Sequence, residues 1–423
     1  MSFFKTSFWA ALSSLIKMLA GVVTSKIMAI YIGPAGIALL GNFNNIVGIL
    51  TTFSNGAISS GITKYISQYE SEEEKRSIVS HALKITLVCS VLLGVVVVAL
   101  KDVLSKMTFG NTEYSNVFVI LGVTVVFFGL NATITGVLNG YTYIKELILT
   151  GILGSILSML LAYFITIRFG LFGALVNAII AQIFIFAINV FFVNKLKLFN
   201  RQMLREKLDR LLLVDLLKFA LMSIVSALVV PVSTLVIRKY VFDNFSGNEA
   251  GYVQGIWSIS NTYLSVVTTT LSIYYLPTLS GIQDRAKLRA EIKNGYKFIL
   301  PLAVLAGVMI FIFRDLIINI LYTPEFLPMR EYFTFQIIGD GLKIASWILA
   351  YLMVAKAMTR LFIVTEVIFS LTYVLFSVVF MNLFGSVGVT YGYALNYFLY
   401  LILMLFLFRK ILLPNRKDTE FQQ

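Results

Sequence analysis

Residues 88–100 read VCSVLLGVVVVAL and residues 399–408 read LYLILMLFLF, and neither stretch holds a charge. Similar runs, extended by their neighbours to about 20 apolar residues, recur along the whole chain, which is the length a helix needs to cross a ~30 Å hydrocarbon layer. The chain has 423 residues, 58% hydrophobic and 13% charged. A soluble chain carries about 25% charged residues, so the solvent implied here is lipid. In lipid a helix satisfies its own backbone polar groups, and the alternating ten-residue strands of a membrane barrel are absent. The expected architecture is an all-α integral membrane protein of twelve transmembrane helices at about 8–31, 37–60, 80–100, 115–138, 147–168, 172–194, 213–237, 251–276, 296–313, 332–355, 361–383 and 388–408.

Twelve spans place both termini on one side. The terminal segments and the loops on that side, including NKLKLFNRQMLREKLDR (194–210) and GIQDRAKLRAEIKNGYK (281–297), hold most of the 34 Lys and Arg, so both termini are expected in the cytoplasm. That asymmetry accounts for most of the +13 net charge and makes a nucleic-acid partner unnecessary, since basic loops anchor to anionic headgroups of membrane lipids. The acidic run YESEEEKR (69–76) reads as a solvated loop. One Cys and one His leave little chemistry: Cys89 is expected as a buried apolar thiol, and His81 as a solvated helix-end residue, with a proton relay as the alternative. No phosphate-binding loop and no metal-ligand cluster occurs, so no cofactor is expected. IGPAGIALLG (32–41) reads as a tight turn between two helices. The first helix is too long for a removed signal peptide and lacks a small-residue cleavage site.

The sequence also repeats itself. At an offset of 215 residues, Ala35-Gly36 meets Ala250-Gly251, FGLFGAL from Phe169 meets FGSVGVT from Phe384, Lys195 meets Lys410, and Asn200-Arg201 meets Asn415-Arg416. Further upstream the offset becomes 213, pairing Lys5 with Lys218 and Lys26 with Lys239. Six helices per half give two parallel-repeat lobes around a central cavity, the plan of transporters whose lobes rock about a central site. The expected division is an N-terminal six-helix lobe at 1–201, a basic cytoplasmic linker at 202–212 and a C-terminal six-helix lobe at 213–423. Two independent bundles without a shared cavity are the alternative.

Two helices carry polar stripes. Gly41, Asn44, Gly48, Thr52, Asn55 and Ser59 share one face of the second helix, and Gln254, Ser258, Asn261, Ser265, Thr268 and Ser272 share one face of the eighth. Such faces either line a wet cavity or glue helices together. Lys17 lies near the middle of the first helix, on a face with Ser13, Gly21 and Thr24, too deep to snorkel easily. It faces the cavity or pairs with an acid from another helix. Lys26 lies near the far interface, where Arg238 and Lys239 match it in the second half. Asp340 and Lys343, at i,i+3, are placed to neutralise each other. Glu366 stands alone among apolar residues on a face with Ser370 and Tyr373. Asp340 and Glu366 are the ion-coupling candidates.

In order and spacing, YIGPAGIALLGNFNNI (31–46), GAISSGITKYISQY (56–69), YYLPTLS (274–280), GYKFILP (295–301), IIGDGLKI (337–344) and YLMVAKA (351–357) resemble the Wzx O-antigen unit translocases, including the branch that serves enterobacterial common antigen. These belong to the multidrug/oligosaccharidyl-lipid/polysaccharide exporter superfamily, and the resemblance runs nearly end to end. It implies a multi-pass protein of the bacterial inner membrane. The implied activity is that of a flippase moving an undecaprenyl-diphosphate-linked oligosaccharide to the periplasmic leaflet, with no catalytic residues. The implied partners are the lipid-linked oligosaccharide, membrane lipids, and a polysaccharide polymerase with its chain-length regulator. Lys17, Lys26, Lys64, Asp340 and Lys343 stand at family-like charged positions. Lys17, Lys26, Asn44, Asn55, Lys64, Asn261 and Lys343 are therefore the expected substrate-binding residues. A cavity of Asn, Ser and Thr can replace water around sugars, and lysine offers a mobile charge to a diphosphate. The competing readings are an ion-coupled drug or cation exporter of the same superfamily, which a cationic interior disfavours, and a polyprenyl-linked glycan polymerase or glycosyltransferase. For the latter the external loops offer little, since YIGPAG (31–36) is uncharged and FDNFSGNEAG (242–251) supplies only Asp243 and Glu249.

Overall fold

A computed structural model describes residues 3–199, 210–356 and 358–413, and among these every regular element is a helix. In chain order they are α1 (Phe3–Ser54), α2 (Ser59–Gln68), α3 (Glu72–Ala99), α4 (Lys101–Phe109), α5 (Ser115–Gly140), α6 (Ile144–Lys195), α7 (Arg210–Asn244), α8 (Gly247–Thr270), α9 (Leu276–Gly281), α10 (Arg285–Ile312), α11 (Arg314–Leu321), α12 (Phe333–Ala355), α13 (Thr359–Phe384), α14 (Gly388–Leu407) and α15 (Arg409–Leu412). A π-helical stretch, Leu271–Tyr275, joins α8 to α9, and a 3-10 stretch, Pro324–Tyr332, precedes α12. Most of the basic segment at 202–212 lies outside the described residues. Nine helices among the described residues are long and apolar enough to cross a membrane.

Two of these nine are far longer than one crossing needs. α1 and α6 each run 52 residues, roughly 78 Å of helix against a ~30 Å hydrocarbon layer. Each is broken at a glycine. Gly33 has φ 62° and ψ −173°, and Gly170 has φ 52° and ψ −130°. A side chain is strongly disfavoured in this region of backbone space, so the helix breaks there at little cost only because a β-carbon is missing. Pro34 then opens the second arm of α1, where its fixed φ and missing N–H suit a first helical position. The IGPAG stretch is thus the tight turn its composition suggests.

One helix starts earlier than expected. α3 begins at Glu72 rather than near 80, and the acidic run is its first turn, not a loop. Ser71 caps it by accepting from the backbone N–H of Glu73, and Glu72, Glu73 and Glu74 lie where the helix dipole favours negative charge. The earlier start carries His81 into the body of the helix. His81 is buried at 1% exposure, beside Ile78, Val79 and Ala82, with Nδ1 2.7 Å from the Ser77 carbonyl, so it is not a solvated end residue.

Local features recur at the offsets seen in the sequence. Ser71 caps α3, and 213 residues later Asp284 caps α10 by accepting from the N–H of Lys287. α3 breaks at Leu100 (φ −98°, ψ 15°) and α10 at Phe313 (φ −93°, ψ 14°), each followed by a short helix that begins with a basic residue and an aspartate, Lys101-Asp102 and Arg314-Asp315. Past α12 the spacing is 215. Gly170 and Gly385 both carry positive φ at a helix break. Gly173 lies so close to the Ile165 carbonyl, and Gly388 to the Phe380 carbonyl, that neither admits a β-carbon. The second arm of α1 starts at Pro34 and α8 at Gly247, which puts the polar stripes in register at 213 and leaves the Ala35-Gly36 match with Ala250-Gly251 two residues out.

The chain divides into two compact units, Met1–Pro231 and Val232–Gln423. In the first, α1 packs along α6 and α3 along α5. Its α3 is built inside out. Thr86, Ser90 and Gly94 face the interior, with Thr86 Oγ1 2.6 Å from Thr133 Oγ1 of α5, while Val88, Leu92 and Val95 are 59%, 63% and 65% exposed. Small and hydroxyl-bearing residues hold the helices together, and lipid takes the large aliphatic ones. Phe43, Phe109 and Phe118 form an aromatic cluster, and Cys89 is half-buried against the Gly56–Ala57 bend between α1 and α2. In the second unit α12 and α13 both pack on α14, over a core that includes Leu271, Tyr275, Ile344, Ile348, Leu349 and Met404.

Candidate functional site

In the first unit the expected residues are spread along α1 and α2. Lys17 is exposed, and it makes no ion pair or hydrogen bond among the described residues. Among the described residues no acid from another helix pairs with it. Lys26 is half-buried, and Lys64 is exposed on α2 with Nζ 5.5 Å from the ring centre of Tyr65. Asn44 is exposed. Asn55 is not offered to a ligand. At 3% exposure it donates from Nδ2 to Ser59 Oγ at 2.6 Å and accepts at Oδ1 from the Ala57 N–H at 2.9 Å. Ala57 has φ 58°, and the Asn55 amide ties down that strained bend.

The stripes behave as open faces at their centres. Asn44, Gly48, Asn261 and Ser265 are exposed. The hydroxyls beside them bond back to their own helix, Thr52 to the Gly48 carbonyl, Ser265 to Thr262 and Thr268 to Ser265. Their donor protons are spent within their own helix.

The second unit gathers a charged cluster. Asp340 on α12 is fully buried and accepts four hydrogen bonds. Ser260 Oγ and Tyr263 Oη of α8 reach Oδ2 at 2.5 and 2.6 Å, and Tyr393 Oη of α14 and Gln336 Nε2 reach Oδ1 at 2.7 and 3.3 Å. One turn on, Lys343 does not pair with it. No ion pair within 4.0 Å joins them among the described residues, and the ammonium lies over three rings, 4.8 Å from Trp347, 5.3 Å from Tyr397 and 5.7 Å from Tyr393. Such ring faces hold a cation without neutralising it. Glu366 on α13 is half-buried and within electrostatic reach of Lys343, and it makes no hydrogen bond or ion pair among the described residues. Arg238 on α7, expected at a rim, is instead 2% exposed with its guanidinium 5.3 Å from the Trp257 ring centre. Sequence reasoning missed the four donors to Asp340. The one hint was the tyrosine density of YGYALNYFLY (391–400).

Solved structures of the same fold are transporters. The chain superposes on an inward-facing multidrug resistance MATE family transporter of the MOP superfamily with TM-score 0.77 and 14% identity, covering 94% of this chain and 95% of that one. With the lipid II flippase MurJ in an inward closed conformation the TM-score is 0.73 and the identity 16%, over 96% and 87% of the two chains. The chain therefore shares their all-helical fold. Residues 43–331 match the family described as polysaccharide biosynthesis protein. The chain is also 30% identical over 402 residues to the lipid III flippases of Escherichia coli (strain K12) and Shigella flexneri, covering 95% of this chain and 96% of each relative. The chain belongs to this polysaccharide biosynthesis family. Its named relatives are flippases, so it is a transporter and not an enzyme, and the resemblance to lipid-linked glycan translocases stands.

Proposed function

We propose that this chain is a flippase carrying an undecaprenyl-diphosphate-linked oligosaccharide unit from the cytoplasmic to the periplasmic leaflet of the bacterial inner membrane by alternating access. The observation that carries the reading is the end-to-end similarity to lipid III flippases, joined to a mid-span ammonium, Lys17, with no carboxylate partner. A lysine held at that depth without a counter-charge needs a mobile anion, and a travelling diphosphate supplies one. Lys26, Lys64 and Lys343 would carry the same charge along the route, and the exposed amides of Asn44 and Asn261 would meet sugar hydroxyls. Asn55 drops out of this set, because its amide is committed to the bend.

The proposed topology has twelve spans in two parallel six-helix repeats with both termini cytoplasmic. The count comes from nine apolar helices, with α1 and α6 each read as two across their glycine breaks and α8 added. A downstream polymerase and its chain-length regulator are the expected partners. Of the two acids, Glu366 is the stronger ion-coupling candidate, since both Asp340 oxygens are already occupied by donors. The deciding experiment is transfer of a defined undecaprenyl-diphosphate-linked oligosaccharide across proteoliposomes, with and without a proton gradient. Transfer that depends on the protein is expected. Its absence, with export of a cationic drug instead, would overturn the reading.

A further inference from the structure

The first arm of α1 packs along α6, and the α6 residue that meets Lys17 is Gly151. A β-carbon built on Gly151 would overlap both Nζ and Cε of Lys17. The ammonium therefore lies in space left by a missing side chain, and the neighbouring helix sets where the charge sits. The Gly151 carbonyl is not what draws it there, because beyond its helical bond that oxygen already accepts from Ser155 Oγ at 2.8 Å. Two hydroxyls adjoin this seat in the chain. Ser13 stands one turn before Lys17 on the same face, and Thr150 immediately precedes Gly151. They are 2% and 9% exposed, and neither hydroxyl has a hydrogen-bond partner among the described residues. A buried hydroxyl without a partner is unfavourable unless something completes it.

We propose that Gly151 is a positioning residue. Its notch fixes the Lys17 ammonium, and Ser13 and Thr150 donate to the same oxyanion, so that the group bound is a phosphate or diphosphate. This rests on the reading of Lys17 as the diphosphate contact. An ammonium and two hydroxyls are donors only, which suits an acceptor-only ligand rich in oxygens.

The test uses the full-length protein in proteoliposomes, with an undecaprenyl-diphosphate-linked oligosaccharide as cargo and inorganic diphosphate as competitor. Gly151→Ala moves only the far end of a flexible side chain, so normal abundance is expected. Transfer should fall about tenfold, and the diphosphate concentration giving half-inhibition should rise about tenfold. In the Lys17→Ala background Gly151→Ala should have no further effect. Losses that add in the double variant would mean that Gly151 acts through packing, and would overturn the proposal. A crippled Lys17→Ala beside a wild-type Gly151→Ala would overturn the notch alone. Wild-type transfer by Lys17→Ala would overturn the underlying reading and this inference with it. Should Gly151→Ala fail to accumulate, Thr150→Val keeps the shape and removes the hydroxyl. Weaker inhibition by diphosphate supports the proposal, and unchanged inhibition overturns it.

Discussion

Asp340 and Lys343 stand one turn apart on α12 in opposite circumstances. The carboxylate is held by four donors, and the ammonium rests on aromatic faces. Asp340→Ala strands buried hydroxyls of Ser260, Tyr263 and Tyr393, and unmade hydrogen bonds of that kind cost about 1–3 kcal/mol each. The expected result is a lower thermal unfolding midpoint and lower abundance in detergent. An unchanged midpoint would show that the network contributes nothing to stability. Glu366 has no such web, so Glu366→Gln should leave abundance near normal while removing the dependence of transfer on a proton gradient. If the gradient still accelerates transfer in Glu366→Gln, Glu366 does not couple. The charges themselves were legible in the sequence, because an acid or lysine stands out in an apolar span. Their partners were not. Ser260 and Tyr263 lie 80 and 77 residues before Asp340, and Tyr393 lies 53 after it, and no periodicity along one helix reports that packing.

At the scale of elements, the glycine breaks decide how the long helices are used. Gly33 and Gly385 share φ 62° and 74° with ψ near 180°, a region essentially closed to other residues. Gly33→Ala or Gly385→Ala is expected to cost about 1–3 kcal/mol. This would appear as reduced folded yield beside a control such as Gly48→Ala, whose β-carbon meets nothing within 4 Å. Helix starts respond to pH where a carboxylate caps them. Backbone N–H groups of Lys287 and Ala286 hold the Asp284 carboxyl below the usual carboxylate range. A lowered pKa means the cap contributes fully at neutral pH and fades as pH falls through the shifted value. Protection of the first amides of α10 against exchange, taken relative to the intrinsic rate at each pH, should fall on acidification and be pH-insensitive over that window in Asp284→Ala. The nine candidate spans among the described residues were legible because each coincides with an apolar run. The start of α3 was misread because an acidic run resembles a solvated loop until its capping serine is counted.

For the whole molecule, the solvent-facing pattern is the reverse of a soluble protein, with Leu302, Phe298 and Leu371 each at least 65% exposed. Fold class was legible for the same reason, since lipid selects composition before any packing is known. Orientation is tested by one exposed position. With Cys89 replaced by Ala, Asn248→Cys near the start of α8 should react with an impermeant maleimide in intact spheroplasts. Labelling only after the inner membrane is opened would reverse the topology. Ser246 is less suitable, because its hydroxyl caps α8.

The paired caps and glycine breaks also record a history. Ser71 and Asp284 keep one spacing, Gly170 and Gly385 another two residues longer, so the two copies of the repeated segment differ in length by two residues. The difference falls between Asp315 and Ala355, where the short turn between α4 and α5 has as its counterpart the longer 3-10 stretch before α12. Among descendants of the same duplication, insertions and deletions should collect at 110–114 and 322–332, and the glycine-to-carbonyl contacts at 173 and 388 should tolerate none.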